Sequence, residues 1–363
     1  MPRLVSPSDL QPPEPPSTRD LRPPARFAGA TFENYIPQHP TQEAARSHVR
    51  EFVLAAAKPP TRRGLLPWTR RRRERGAGLY LDGGFGVGKT HLLAAAYAEA
   101  DTPAKRYLSF QQLVYLVGAM GMRRAVEEFG GTQLLCVDEF ELDDPGNTLI
   151  VKSFLQALFA EGTAVVTTSN TPPEAQGRGR FNAEDFRREI QSLADGFEVV
   201  PVDGPDYRAR HAGGEWLSEE ALRRLELTES TPEPRLSLAW DELFALLAAH
   251  HPSRYGGVLA QVGTVYVHGA RTIPTQNEAL RFVHFVDQLY DRNLLLRVSG
   301  EGDIAGVFHP SYRESAYAKK HHRCVSRLTE LLEEPAASAA EQAADAARGT
   351  GPGSRRRGVV AAD

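Results

Sequence analysis

Gly83-Gly84-Phe85-Gly86-Val87-Gly88-Lys89-Thr90 has the spacing G-x-x-x-x-G-K-T, the phosphate-binding loop of nucleoside triphosphatases. Its surroundings fit that reading. Gly78-Leu79-Tyr80-Leu81 before it reads as a short buried strand, and the residues from His91 to Tyr97 after it read as a helix. Glycines let backbone N–H groups turn inward around phosphate with no Cβ in the way. The helix N-terminus adds partial positive charge at the same place. Lys89 reaches the β- and γ-phosphates, and the Thr90 hydroxyl is placed to ligate Mg²⁺.

Working outward, strand and helix alternate. Arg106-Tyr107-Leu108, Leu134-Leu135-Cys136-Val137, Ala164 to Thr168 and Phe197 to Val200 read as strands. Helices are expected over residues 110–117, 122–129, 147–160 and 182–193, and upstream over 41–57. Continuous apolar strands alternating with helices imply a parallel sheet covered on both faces. The fold class is α/β, of the P-loop NTPase type. Such sheets bind ligands at the carboxyl ends of their strands, where the chemical residues collect.

The second signal is Asp138-Glu139 after the apolar run 134–137, roughly fifty residues past the phosphate loop. Asp138 is expected in the Mg²⁺ shell. Glu139 is expected to orient and polarise the attacking water. The third is Thr167-Thr168-Ser169-Asn170 at the end of the next strand. The Asn170 amide both donates and accepts and suits a water between phosphate and Glu139. The fourth is the set Arg178, Arg180, Arg187 and Arg188, any of which could act as a finger in a neighbouring subunit's site. Phe32, Tyr35 and Ile36, just upstream of the loop, are candidates for closing over the base.

Composition bounds the remainder. The chain has 363 residues, a net charge of −3, 41% hydrophobic and 25% charged residues, which is ordinary for a soluble protein of about two folded units. That balance gives no global attraction to nucleic acid or anionic membrane. Cys136 and Cys324 are its only cysteines, too few for a disulfide framework, so a cytoplasmic location is expected. No apolar stretch approaches a membrane span, and the proline-rich start has no apolar signal sequence.

The expected organisation is a disordered N-terminus (1–26), an ATPase core (27–205) with a basic insertion (58–76), a connection (206–235), a lid-like α/β region (236–333) and a disordered tail (334–363). The lid region reads as helices near 240–249, 277–290 and 317–332 with strands at 264–267 and 294–298.

With these signals in order, the chain resembles the ZapE family of AAA+-type ATPases, bacterial cell-division proteins with mitochondrial relatives. The matching pieces are residues 80–91, Cys136-Val137-Asp138-Glu139-Phe140, Thr167 to Glu174, Asp206-Tyr207-Arg208, Arg281-Phe282 through Leu289-Tyr290-Asp291, and Ala318-Lys319-Lys320 with Val325-Ser326-Arg327-Leu328. The resemblance implies ATP hydrolysis with Mg²⁺. Together with the residue readings above, ATP is expected on Gly83, Gly84, Phe85, Gly86, Val87, Gly88, Lys89, Thr90, His91 and Tyr35, and metal at Thr90 and Asp138. The resemblance makes Lys89, Glu139 and Asn170 catalytic, and Arg180, in Gly179-Arg180-Phe181, is the best match to the family's finger. It further implies a homo-oligomer with ATP sites at subunit interfaces and a protein partner, with the division ring as a candidate. Thr171 stands where the family usually has Arg, and the insertion and tails lack family counterparts. Arg281 and Arg327 are the candidates for a lid arginine.

Two other functions compete. A helicase-loader-type ATPase would share Phe32-Glu33-Asn34-Tyr35 and Gly88-Lys89-Thr90-His91 and would use Arg70–Arg73 on phosphates, but the Asp-Glu-Phe piece and the long C-terminal region argue against nucleic acid. A nucleotide-gated scaffold would bind ATP without turnover, which the presence of both Glu139 and Asn170 argues against.

Overall fold

The computed structural model describes residues 3–10, 18, 21–56, 76–142, 144–172, 191–206, 215–314 and 317–333. The elements in chain order are β1 (Leu4–Val5), α1 (Pro40–Ala56), β2 (Gly78–Asp82), α2 (Lys89–Glu99), β3 (Lys105–Ser109), α3 (Phe110–Met120), α4 (Met122–Phe129), β4 (Leu134–Asp138), α5 (Pro145–Ala160), β5 (Ala164–Ser169) and β6 (Phe197–Pro201). There follow α6 (Glu219–Thr228), β7 (Arg235–Ala239), α7 (Trp240–Ala249), α8 (Tyr255–Leu259), β8 (Thr264–Ala270), α9 (Gln276–Arg292), β9 (Leu295–Gly300) and α10 (Ala318–Glu333).

The first sheet is parallel throughout, in the order β3-β4-β5-β2-β6. Strand alternation sends neighbouring side chains to opposite faces, and both faces are covered. Leu79, Leu81, Leu134, Cys136 and Val166 pack with α1 and α2. Tyr80, Leu135, Val137 and Val165 pack with α3, α4 and α5. This is why these strands read as unbroken apolar runs. Helix starts are set locally: Ser109 and Gln112 form a capping box at α3, and Asp144 caps α5 with Pro145 at its first position.

The second sheet, β1-β7-β8-β9, is also parallel. One face, with Leu236, Leu238, Val265, Val267, Leu296 and Val298, shares a core with α7, α9 and α10. The opposite face carries the buried Arg235 and Arg297: Arg235 Nη2 donates to the Glu229 backbone carbonyl just past α6, and Arg297 Nη2 pairs with the Glu229 carboxylate. The strand β7 lies where the sequence suggested only a boundary, because its alternation is carried by just Leu236 and Leu238. The N-terminal stretch expected to lack order also contributes structure. Leu4 and Val5 pair with Arg235 and Leu236, and the buried Leu21 accepts a hydrogen bond from the Tyr107 N–H at 2.9 Å. Backbone pairing supplies there what composition does not reveal.

No described helix is long and apolar enough to cross a membrane. Both cysteines are buried and free. The arginine run 70–73, the four candidate finger arginines including Arg180, most of the 182–193 helix and the 334–363 tail lie outside the described residues.

Candidate functional site

The order of the first sheet builds the site. Because β5 lies between β2 and β4, its carboxyl end places Thr168 and Asn170 between the phosphate loop and the Asp138-Glu139 pair. One cavity of about 740 Å³ is lined by Gly86, Lys89, Thr90, Asp138, Glu139 and Asn170 on one side and by Tyr290 of α9 and Arg323 and Arg327 of α10 on the other.

The loop leaves β2 at Asp82 and enters α2 at Lys89. Gly88 has φ +90, and a Cβ there would stand 2.5 Å from Tyr35 Cε2. A Cβ on Gly83 would stand 2.1 Å from the Val202 carbonyl oxygen. Glycine is required at both. Lys89 is buried, and its Nζ donates to the Gly83 carbonyl at 2.9 Å, to that of Gly84, and to Asn170 Oδ1 at 2.9 Å. The loop lysine and the β5 asparagine are therefore in direct contact.

Thr90 Oγ1 donates to Asp138 Oδ1 at 3.2 Å. Three further donors fix the Asp138 carboxylate: Tyr107 through its hydroxyl at 3.1 Å to Oδ2, Thr168 Oγ1 to Oδ1, and the Glu139 N–H at 3.1 Å to Oδ1. Burial and the neighbouring Glu139 charge push the Asp138 carboxyl up, while the Thr168 hydrogen bond opposes this. Thr90 and Asp138 offer hard oxygen donors side by side at the end of the loop, a donor set that suits Mg²⁺.

Glu139 follows with φ +55, a left-handed backbone that costs a non-glycine residue about 1–3 kcal/mol. Its amide N–H donates to Thr168 Oγ1 at 3.0 Å, and the Phe140 N–H to the Thr168 carbonyl at 2.7 Å. Those bonds hold the turn that brings two successive carboxylates to the same cavity. Burial raises the Glu139 carboxyl, but Arg323 and Arg327 outweigh it and hold it below the ordinary value. Arg327 Nη2 donates to Glu139 Oε1 at 2.7 Å, and Arg323 Nη1 lies 3.2 Å from Oε2.

Those arginines come from α10. One stripe of this helix, Cys324, Leu328 and Leu331, enters the second core. The adjoining stripe, Lys320, Arg323 and Arg327 at helical spacing, meets Glu139 and Glu141 just past β4. The Nε atoms of Arg323 and Arg327 are buried and have no acceptor among the described residues. Buried, unspent cationic donors at a cavity already lined by a phosphate loop fit an anion.

Tyr35 donates through its hydroxyl to the Val87 carbonyl at 3.0 Å, and Gln42 Nε2 to the same oxygen at 3.3 Å. Burial pushes the Tyr35 phenol up to about 12. His91 Nε2 lies 3.0 Å from the Thr31 carbonyl and 2.9 Å from Asn34 Oδ1, two acceptors that require the proton on Nε2. Tyr35 and Ile36 line the cavity, and Ile36 is 79% exposed. Phe32 differs from expectation: it is fully buried in the core beside α1 and α2. Of the two lid-arginine candidates, Arg327 is at the site. Arg281 Nη1 instead donates to the carbonyls of Leu247 and His250 and to the Tyr255 hydroxyl, at the C-terminal end of α7 and the start of α8. Thr168, Tyr107 and Arg323 were not singled out in the sequence. The i, i+4 pair of arginines on an amphipathic helix was the available signal for the last.

Comparison with known proteins follows the same lines. The profile of the AFG1-like ATPase family matches residues 15–245 and 237–337. The chain is 27% identical over 307 residues to cell division protein ZapE of Escherichia coli K12, covering 71% of this chain and 78% of that protein. It is 29% identical over 155 residues to lactation elevated protein 1 homolog B of Danio rerio, covering 37% of this chain and 31% of that one. Among solved structures, AMPPCP-bound DnaA from Aquifex aeolicus covers 89% of this chain and 98% of its own at 13% identity. Its TM-score is 0.37.

Proposed function

The chain belongs to the AFG1-like ATPase family, and from that premise we propose that it hydrolyses ATP to ADP and phosphate in the cavity between the carboxyl end of its first sheet and helices α9 and α10 and couples turnover to work on a protein partner. The observation that carries the reading is the convergence of Lys89, Thr90, Asp138, Glu139 and Asn170 on one cavity from three parallel strands.

In this reading the loop N–H groups and Lys89 bind the β- and γ-phosphates, exchanging the Gly83 and Gly84 carbonyls for phosphate oxygens. Thr90 and Asp138 would hold Mg²⁺, which when bound neutralises phosphate charge. Glu139 accepts hydrogen-bonding from the attacking water and draws off its proton as the water oxygen bonds to the γ-phosphorus and the ADP oxygen leaves. Asn170 orients that water, and the Arg323 and Arg327 guanidiniums stabilise negative charge on the transferred group. Tyr35 and His91 border the nucleotide. Arg180 acts as a finger in the site of a neighbouring copy, which makes the active species a homo-oligomer. The similarity to a cell division protein directs the proposal to a cytoplasmic partner in the division ring.

The test is phosphate release against protein concentration for the wild type and Glu139→Gln. Specific activity that rises with concentration, with a Glu139→Gln variant that binds ATP and turns over about a hundredfold more slowly, supports the reading. Absence of Mg²⁺-dependent turnover at every concentration removes it. Flat specific activity removes the shared site alone.

A further inference from the structure

Glu139 is not the only carboxylate that holds the two arginines. Asp287, on α9, gives one oxygen to each: Oδ2 accepts from Arg323 Nη2 at 2.8 Å, and Oδ1 accepts from Arg327 Nη1. Asp287, Arg327, Glu139 and Arg323 thus close a ring of two anions and two cations, with each guanidinium bridging both carboxylates. Asp287, Arg323 and Arg327 are 6%, 4% and 3% exposed, so solvent screens the ring little.

The two anions are not equivalent. Glu139 lines the cavity with Arg323 and Arg327, whereas Asp287 lies behind the guanidiniums. Burial alone would favour a protonated Asp287, but the two guanidiniums bring it down to about 2, so it is a fixed anion at neutral pH. A phosphate oxygen entering the cavity meets Glu139, not Asp287, as the counter-charge to be displaced. Glu141 meets Arg323 at 3.6 Å and Lys320 at 3.4 Å. It cannot replace a residue that grips both arginines.

We propose that Asp287 is a positioning residue that presents Arg323 and Arg327 to the terminal phosphate of the nucleotide, so that this phosphate takes the place of Glu139 in the ring and frees Glu139 for its water. The inference rests on the ATPase reading above and deepens it. ADP lacks the displacing group, so the ring stays closed around ADP and closes again once phosphate departs. Asp287 therefore sets the preference for triphosphate over diphosphate. Without its charge both arginines have Glu139 as their main counter-ion, and the terminal phosphate must break a tighter pair.

The experiment measures affinities of the full chain for fluorescent ADP and for a fluorescent non-hydrolysable ATP analogue, for wild type, Asp287→Asn and Asp287→Glu. The expected result is a roughly tenfold loss of triphosphate preference in Asp287→Asn with ADP affinity unchanged, and partial rescue by Asp287→Glu, which keeps the charge. A general structural lesion would weaken both nucleotides in parallel, and that result overturns the proposal. If Asp287→Asn does not fold, Asp287→Glu decides: a reduced preference of about threefold with ADP affinity intact supports the role, and an unchanged preference overturns it. Wild-type chain that binds neither nucleotide removes the ATPase reading and this inference with it. Wild-type binding whose preference ignores Asp287 removes the inference alone.

Discussion

Arg327 and Glu139 stand 188 residues apart in the chain and 2.7 Å apart in the fold. Their contact joins the C-terminal helix α10 to the strand end that carries the two site carboxylates. Arg327→Ala leaves Glu139 and Asp287 facing each other across one remaining buried cation. Breaking a buried pair from one side costs about 3–5 kcal/mol, and the retained Arg323 brings the expectation to the lower end. Chemical denaturation measures it. The loss in Arg327→Ala/Glu139→Gln should be smaller than the sum of the single losses; strict additivity would show that the contact carries no coupling.

Thr168 serves three partners at once: it donates to Asp138, accepts from the Glu139 N–H, and its carbonyl accepts from the Phe140 N–H. Thr168→Val preserves shape and the carbonyl but removes the hydroxyl. It leaves the Glu139 N–H with Asp138 Oδ1, at 3.1 Å, as its acceptor and takes one donor from the buried Asp138 carboxylate, so stability should fall by about 1–3 kcal/mol. Phosphate release should fall more than nucleotide binding, because the carboxylate pair loses its orientation while the loop is untouched. Equal loss in both would contradict that division.

Gly88→Ala places a methyl 2.5 Å from the Tyr35 ring at a backbone φ of +90. Either the loop or Tyr35 must move. The strain is about 1–3 kcal/mol, and nucleotide affinity should drop sharply. Tyr35→Ala added to Gly88→Ala relieves the collision but not the φ. Calorimetric titration with ADP should therefore show partial recovery, and full recovery would assign the whole defect to the ring.

Two groups near the arginine ring give opposite pH slopes. Burial pushes His284 down to about 4 from an ordinary 6.5, with Lys320 and Arg323 adding to it and Asp287 opposing. Its stabilising contribution is complete above pH 6.5 and is lost as pH falls toward 4, on the order of 3 kcal/mol. Burial pushes Asp291 up to about 7 from 3.8, against Arg327. Its contribution is complete below 3.8 and is lost as pH rises toward 7. Between pH 4 and 6.5 the two offset. His284→Leu should leave stability falling as pH rises, and Asp291→Asn should leave it falling as pH drops. Urea unfolding at pH 4.5, 5.5 and 6.5 compares them, and two variants with the wild-type profile would refute both assignments.

The sequence disclosed the parts whose chemistry restricts residue choice. A phosphate loop needs glycines at set positions, and strands covered on both faces need unbroken apolar runs, so the first sheet and the residues at its carboxyl end were legible. The second sheet was only partly so, because its polar face interrupts the pattern: β7 reads Arg235-Leu236-Ser237-Leu238 and resembles a loop boundary. Phe32 stands with Tyr35 and Ile36 just upstream of the phosphate loop, and nothing local separates an aromatic facing the nucleotide from one facing the core. Asp287 was not legible at all. Its meaning depends on two arginines one helical turn apart on another helix, and charge pairing across helices leaves no trace in spacing along the chain.

The strand β1 adds Leu4 and Val5 to the edge of a sheet otherwise built from residues beyond 234. Those few backbone bonds cap the outer side of β7, which would otherwise present a row of open donors and acceptors, the kind of surface on which separate molecules stack edge to edge. The front of the chain thus acts as a guard for the back. Trimming it would alter which molecules stick together before it altered how any one of them handles nucleotide.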